Sequence, residues 1–219
     1  MSVPALDVIN DAALAIGDPA FTRLKRPQWL VILNQSQRDM ARKLRLVRHT
    51  ATFDIEDSDE YAMPDDCIQS VSFQWNDTPT NRETWRWLAE MFEDEFRAGT
   101  DGAFASGDPR KYLALTDTFR LYPRPDREID GGGKITYWGM PDNVTDETTQ
   151  AITIRDTARD TLKERMVIYG LRALDRFDKA REHEQEWIAS LTTDREKFED
   201  RSADRRPRLR PYPSSFGER

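Results

Sequence analysis

A glycine run that ends on a lysine, Gly131-Gly132-Gly133-Lys134, is the pattern most easily read as chemistry, because backbone N–H groups beside an ammonium can cradle a phosphate. The phosphate-loop reading needs G-x-x-x-x-G-K-[ST] followed by a helix, and here the spacing is absent and a strand pattern follows. The run therefore reads as turn glycine. Asp54, Glu56, Asp57, Asp59 and Glu60 could hold a hard cation, but the central glycine and closing glutamate of a calcium loop are missing, so a solvated turn is the better reading. Glu90, Glu93, Asp94 and Glu95 could supply paired acid and base, yet no other chemical group is spaced with them. His49 and His183 stand alone, without an H-E-x-x-H pair. No G-x-S-x-G elbow frames a nucleophile. Cys67, the single cysteine, rules out an internal disulfide and reads as a small apolar residue. Asn143-Val144-Thr145 matches a glycosylation sequon, but the N-terminus lacks the features of a secretory signal. The expectation is no enzyme, no metal and no cofactor.

Composition sharpens this. Charged residues make up 33% of the 219, hydrophobic ones 37%, and the net charge is −7. Residues 201–219 hold six basic and two acidic side chains, leaving −11 on the rest. An acidic body does not grip DNA, which needs clustered lysine and arginine. The basic tail suggests a separate docking element. No apolar run approaches the ~20 residues that a membrane span requires.

The elements that must position these residues follow from periodicity. Residues 4–16 read as a helix with Leu6, Ile9, Ala13 and Ile16 on one face, Ser2 near its cap, and Gly17 and Pro19 as its stop. A second helix, 27–47, has the seam Leu30, Leu33, Gln37, Met40, Leu44 and Val47. Ala51, Phe53 and Ile55 alternate as a strand, and Ile68, Val71, Phe73 and Trp75 read as another with imperfect alternation. Thr84–Phe96 reads as a helix. Phe119 and Leu121, then Ile135 and Tyr137, read as two strands of one antiparallel hairpin whose long tip is Pro123–Gly133. Residues 157–177 carry a wide apolar face that places them in the core. The helix 179–200 has a thin seam of Ala180, Trp187, Leu191 and Phe198, which implies packing partly against other subunits. An antiparallel helical pair is expected at the C-terminal end, with one long helix as the alternative. The predicted fold is α+β: mainly a helical bundle with a small antiparallel β-region, 49–154, inserted between N- and C-terminal helices. Residues 1–200 form one domain and 201–219 an extended basic arm.

Several of these pieces together resemble the head-to-tail adaptor (connector) proteins of tailed bacteriophages. They are the helical pair Leu6–Gly17 and Leu30–Leu44, the turn Tyr61-Ala62-Met63-Pro64-Asp65, and Pro109 with Tyr112. With them go Leu121-Tyr122-Pro123-Arg124-Pro125, Ile135-Thr136-Tyr137-Trp138-Gly139-Met140-Pro141, the terminal helical pair and the basic arm. The resemblance implies a structural virion protein made in the host bacterial cytoplasm and placed at the head–tail junction. It implies a homo-oligomeric ring of twelve copies beneath the portal, a tail or nozzle protein below, and a conduit through which DNA passes without specific binding. In the arm, Arg205, Arg206, Arg208 and Arg210 would meet carboxylates of a partner, and Leu209, Tyr212 and Phe216 would anchor in apolar pockets. The alternative from another class is a virion-associated metal-dependent hydrolase or nuclease built on acidic residues, which needs carboxylates converging in a concave pocket.

Overall fold

The computed structural model describes residues 3–58, 60–77, 85–93, 106–154 and 158–203, and of 192–203 the backbone alone. Among them are four helices and eight strands. Helices α1 (Ala5–Ala15) and α2 (Arg26–Leu44) form from the two N-terminal periodic stretches. Gly17 ends α1 at φ +77°, a conformation that costs glycine little. The loop that follows is tied by Asp18, whose buried carboxylate accepts the N–H groups of Leu24, Thr22 and Arg23 and the Thr22 hydroxyl. Those donors, the Leu24 N–H foremost, hold its carboxyl far below the usual carboxylate range. Pro27 in the first turn of α2 is compatible with helix, because its missing N–H has no partner there.

Helices α3 (Arg159–Ala173) and α4 (Phe177–Ala203) complete the helical layer as the expected pair. The break between them needs neither glycine nor proline. Asp175 takes φ +57°, a left-handed conformation that a short polar side chain tolerates. Ile9, Trp29, Leu33, Met40, Leu162, Met166 and Trp187 are among the residues of one continuous core. Gly170 belongs to that core because a Cβ there would lie 2.9 Å from the Trp29 ring. Phe177, read as core, is exposed at the start of α4.

Trp187 corrects an expectation. It is 1% exposed, donates its indole N–H to the Thr161 carbonyl at 3.0 Å, and carries the Lys43 ammonium 4.6 Å above its ring. Its own chain buries it, so Trp187 needs no other subunit to cover it. The seam looked thin because much of the covering comes from the long charged side chains of Arg165 and Lys43, which an apolar pattern does not count.

The β-region is larger than expected, and the protein is not mainly helical. One sheet has the order β1 (Arg48–Ile55), β8 (Ile129–Gly139), β3 (Cys67–Trp75), β4 (Arg86–Trp87). The other runs β2 (Glu60–Ala62), β7 (Thr118–Tyr122), β6 (Lys111–Ala114), β5 (Ala89–Glu90). Of these eight strands in the described residues, β5 and β6 alone pair in parallel. The sheets meet through a second core of Ile55, Phe73, Trp75, Leu88, Tyr112, Phe119, Leu121 and Ile135. Phe73 lies 4.2 Å from Tyr112 and 4.5 Å from Phe119, ring to ring.

Three expectations fail here. The hairpin of β7 with β8 does not exist, because these strands belong to different sheets and β7 pairs with β6 and β2. Alternation identifies which residues face the core but not which strand lies alongside. The glycine run is not a turn; it lies inside β8. The Phe53 ring fills the space beside Gly133, where a Cβ would come within 2.2 Å of it. Finally, residues 85–92 are not helical, and helical backbone begins only at Glu93. Arg86–Trp87 form β4 and Ala89–Glu90 form β5, with Leu88 and Met91 inward and Trp87 and Phe92 outward. Residues 84 and 94–96 lie outside the described residues.

Candidate interaction surface

The residues that could have formed a reaction centre are occupied by the fold. Asp54 accepts the Gly131 N–H at 2.7 Å, Asp57 pairs with Arg124 at 3.0 Å, and Glu60 with Arg120 at 2.7 Å. The Arg120 hydrogen bond is the main cause that keeps the Glu60 carboxyl below its ordinary range. Asp59 lies outside the described residues. Among the described residues no three His, Cys, Asp or Glu side chains converge as metal ligands. Glu90 in β5 and Glu93 beyond it are exposed, while Asp94 and Glu95 lie outside the described residues. Beside Glu90, burial first and the Glu90 charge second push the Tyr112 phenol up to about 12.

His49 comes nearest to a chemical grouping. It stacks on Tyr137 with centroids 5.6 Å apart, and the Tyr137 hydroxyl donates to Asp66 at 2.8 Å. Nε2 of His49 is 3.9 Å from the same carboxylate. The group closes the end of the sheet where β1, β8 and β3 meet, and Gly139 makes room for it: a Cβ there would lie 2.5 Å from the His49 ring. Among the described residues no nucleophile faces it at hydrogen-bonding distance. Cys67 is half-buried, and burial raises its thiol above the ordinary value. His183 sits 3.4 Å from Glu164 on the helical layer. Asn143 accepts a hydrogen bond from Arg38 at 2.7 Å. A shallow open depression of about 430 Å³, lined by Ser106, Gly107, Asp108, Arg110, Lys111, Tyr122 and Pro123, contains one carboxylate. Converging carboxylates, the feature a metal-dependent hydrolase requires, are not found in it.

What the fold does present is a face. On the side of the first sheet turned away from the core, register places Trp87, Gln74, Lys134 and Thr52 in one row across four strands. The next rows are Ser72, Thr136 and Thr50, then Gln69, Trp138 and Arg48. The Lys134 ammonium lies 4.0 Å from the Trp85 ring centroid. Trp87 is 61% exposed, which marks it as available for contact. These rows hold two cations, amides, hydroxyls and indoles, and not one carboxylate.

The opposite character gathers at the end of the same sheet, where Ile55 faces Ile129. Asp54, Glu56, Asp57, Asp126, Glu128 and Asp130 are all exposed there. Arg124 answers Asp57, while Arg127 reaches away to Asp108. Sequence reasoning missed the basic and aromatic face because its members come from four strands that are far apart in the chain. Trp85 and Trp87, assigned to a helix, gave no sign of belonging with Lys134.

The arm residues Arg205, Arg206, Arg208, Leu209, Arg210, Tyr212 and Phe216 lie outside the described residues. No helix among the described residues is long and apolar enough to cross a membrane. Comparison with protein-family models matches residues 3–212 to the SU10 adaptor protein. Comparison with curated proteins finds no significant match.

Proposed function

The chain belongs to the SU10 adaptor protein family, a family of phage head–tail adaptors, and on that premise we propose that it forms the ring beneath the portal. In this reading twelve copies close into a ring, a tail or nozzle protein attaches below, and the DNA conduit continues through the centre. Residues 1–200 act as one adaptor unit and 201–219 as a docking arm. The carrying observation is the family match over almost the whole chain, which takes in the arm as far as Tyr212. Charge supports it. A body at −11 suits a channel wall that DNA slides past, because like charge suppresses phosphate binding. The arm, at +4, is suited to carboxylates of a partner, with Arg205, Arg206, Arg208 and Arg210 as the ionic contacts and Leu209, Tyr212 and Phe216 as anchors.

Truncation after Asp200 tests this. The shortened chain should remain folded by circular dichroism and fail to co-sediment with portal-bearing heads. Equal attachment of both forms would remove the docking role from the arm. Failure of the intact chain to attach would remove the adaptor reading itself.

A further inference from the structure

We propose that the outer face of the first sheet, around Trp87, Trp85, Lys134 and Arg48, is the seat for a second copy of this chain, which inserts its acidic sheet end. The proposal rests on the adaptor reading and adds to it the surface through which neighbouring copies meet.

Charge complementarity chooses the occupant. The face carries Lys134 and Arg48 and no carboxylate in its three rows, on a body that is strongly acidic elsewhere. The basic arm is a poor match for it. At the acidic end of the sheet, Glu56, Asp126, Glu128 and Asp130 are exposed and make no ion pair among the described residues, so their charge remains available. Trp87 supplies the apolar centre that an interface needs, since large exposed indoles are frequent binding anchors.

Area is adequate. The three long strands, spaced ~4.8 Å apart and paired over about eight residues, give a face of about 380 Å². A stable interface buries ~800 Å² on each partner, so this face forms close to half of one and the flanking segment with Trp85 and Trp87 extends it. Symmetry agrees as well. The contact joins two different surfaces of the same chain, the heterologous arrangement from which closed rings are built. Exposed β1 at the sheet edge gives the incoming copy a rigid margin to register against.

Targeted crosslinking tests the contact in assembled particles. With Cys67→Ser as background, Lys134→Cys and Glu128→Cys are placed on separate copies, co-assembled and oxidised. A dimer-sized band should appear with the pair and be absent with either variant alone. In parallel, Lys134→Glu should weaken self-association at least tenfold by sedimentation, and mixing it with copies carrying Glu128→Lys and Asp130→Lys should restore most of the loss. If the background chain oligomerises while the crosslink and the charge effects are both absent, the face is not the seat. If the background chain forms no oligomer even on particles, the ring reading fails with it. Loss of DNA retention at physiological salt in Lys134→Glu, without a change in oligomer mass, would assign the face to nucleic acid and overturn the proposal.

Discussion

Arg165 of α3 reaches across the helical layer to Asp39 of α2, donating from Nε at 3.0 Å while its guanidinium lies between two aromatic rings. The rings are Tyr169 and Trp187, each 4.5 Å from its central carbon. Tyr169 donates its hydroxyl to the same carboxylate, and Glu184 of α4 accepts from Arg165 and Arg172. One buried cation thus joins three helices. Such groups strongly oppose the removal of one partner, because the other is left charged and buried.

The first prediction is a pH dependence. Burial would raise the Asp39 carboxyl, but the hydrogen bonds from Tyr169 and Arg165 outweigh it and hold the group below its ordinary value. A carboxyl depressed on folding contributes stability above its unfolded pKa of ~3.9, and this is lost as pH falls through the folded value. Thermal melts should therefore lose stability below about pH 4. Asp39→Asn should be less stable at neutral pH and show a flatter decline in that window. Asp39→Ala should cost about 3 kcal/mol at pH 7 in chemical denaturation.

Trp187→Ala removes the indole packed against Arg165 and Lys43 and the hydrogen bond to Thr161. A loss of about 3–5 kcal/mol is expected from urea unfolding of the isolated chain, where no neighbour is present. If α4 depended on another subunit at this point, the isolated chain would show little change.

Gly133→Ala sets a methyl group against the Phe53 ring and should destabilise by about 1–3 kcal/mol. Phe53→Ala empties that space, so the double variant should fall short of the sum of the two single losses. Additive losses in a double-mutant cycle would show that the contact does not restrict Gly133.

For the arm, ordering a polar segment on a partner needs several contacts, so single Arg→Ala changes at Arg205, Arg206, Arg208 or Arg210 should each reduce attachment only slightly. Replacing all four should abolish it, and attachment of the intact chain should weaken as salt rises. Co-sedimentation across a salt series measures both.

The helices were legible in the sequence because each carries its own evidence. Gly17 stops α1, and the seam of Leu33, Gln37, Met40 and Leu44 is buried as its spacing requires. The inward residues of the strands were legible too, since Phe53, Phe73, Phe119 and Ile135 all alternate. Pairing was not. Whether Leu121 has Tyr112 or a residue of β8 beside it depends on contacts that no local pattern encodes. The same limit hid the glycine run, whose need for glycine comes from Phe53 in a distant strand. For the interaction face, charge was legible as a sum over the chain, but its separation into a face without carboxylates and an acidic end appears only once register is known.

Between Trp87 and Ala89 the chain leaves β3 and joins β6, with Leu88 in the core at the crossing. In mechanical terms this is a stitch. Sliding one sheet over the other would have to shear the Leu88 N–H to Phe73 bond and the Ala89 N–H to Arg110 bond, both 3.0 Å, while dragging Leu88 out from between them. That resistance comes from backbone geometry and apolar burial, so ionic strength hardly touches it, unlike a contact between surface charges. A body stitched in this way resists shear between its sheets whatever salt surrounds it.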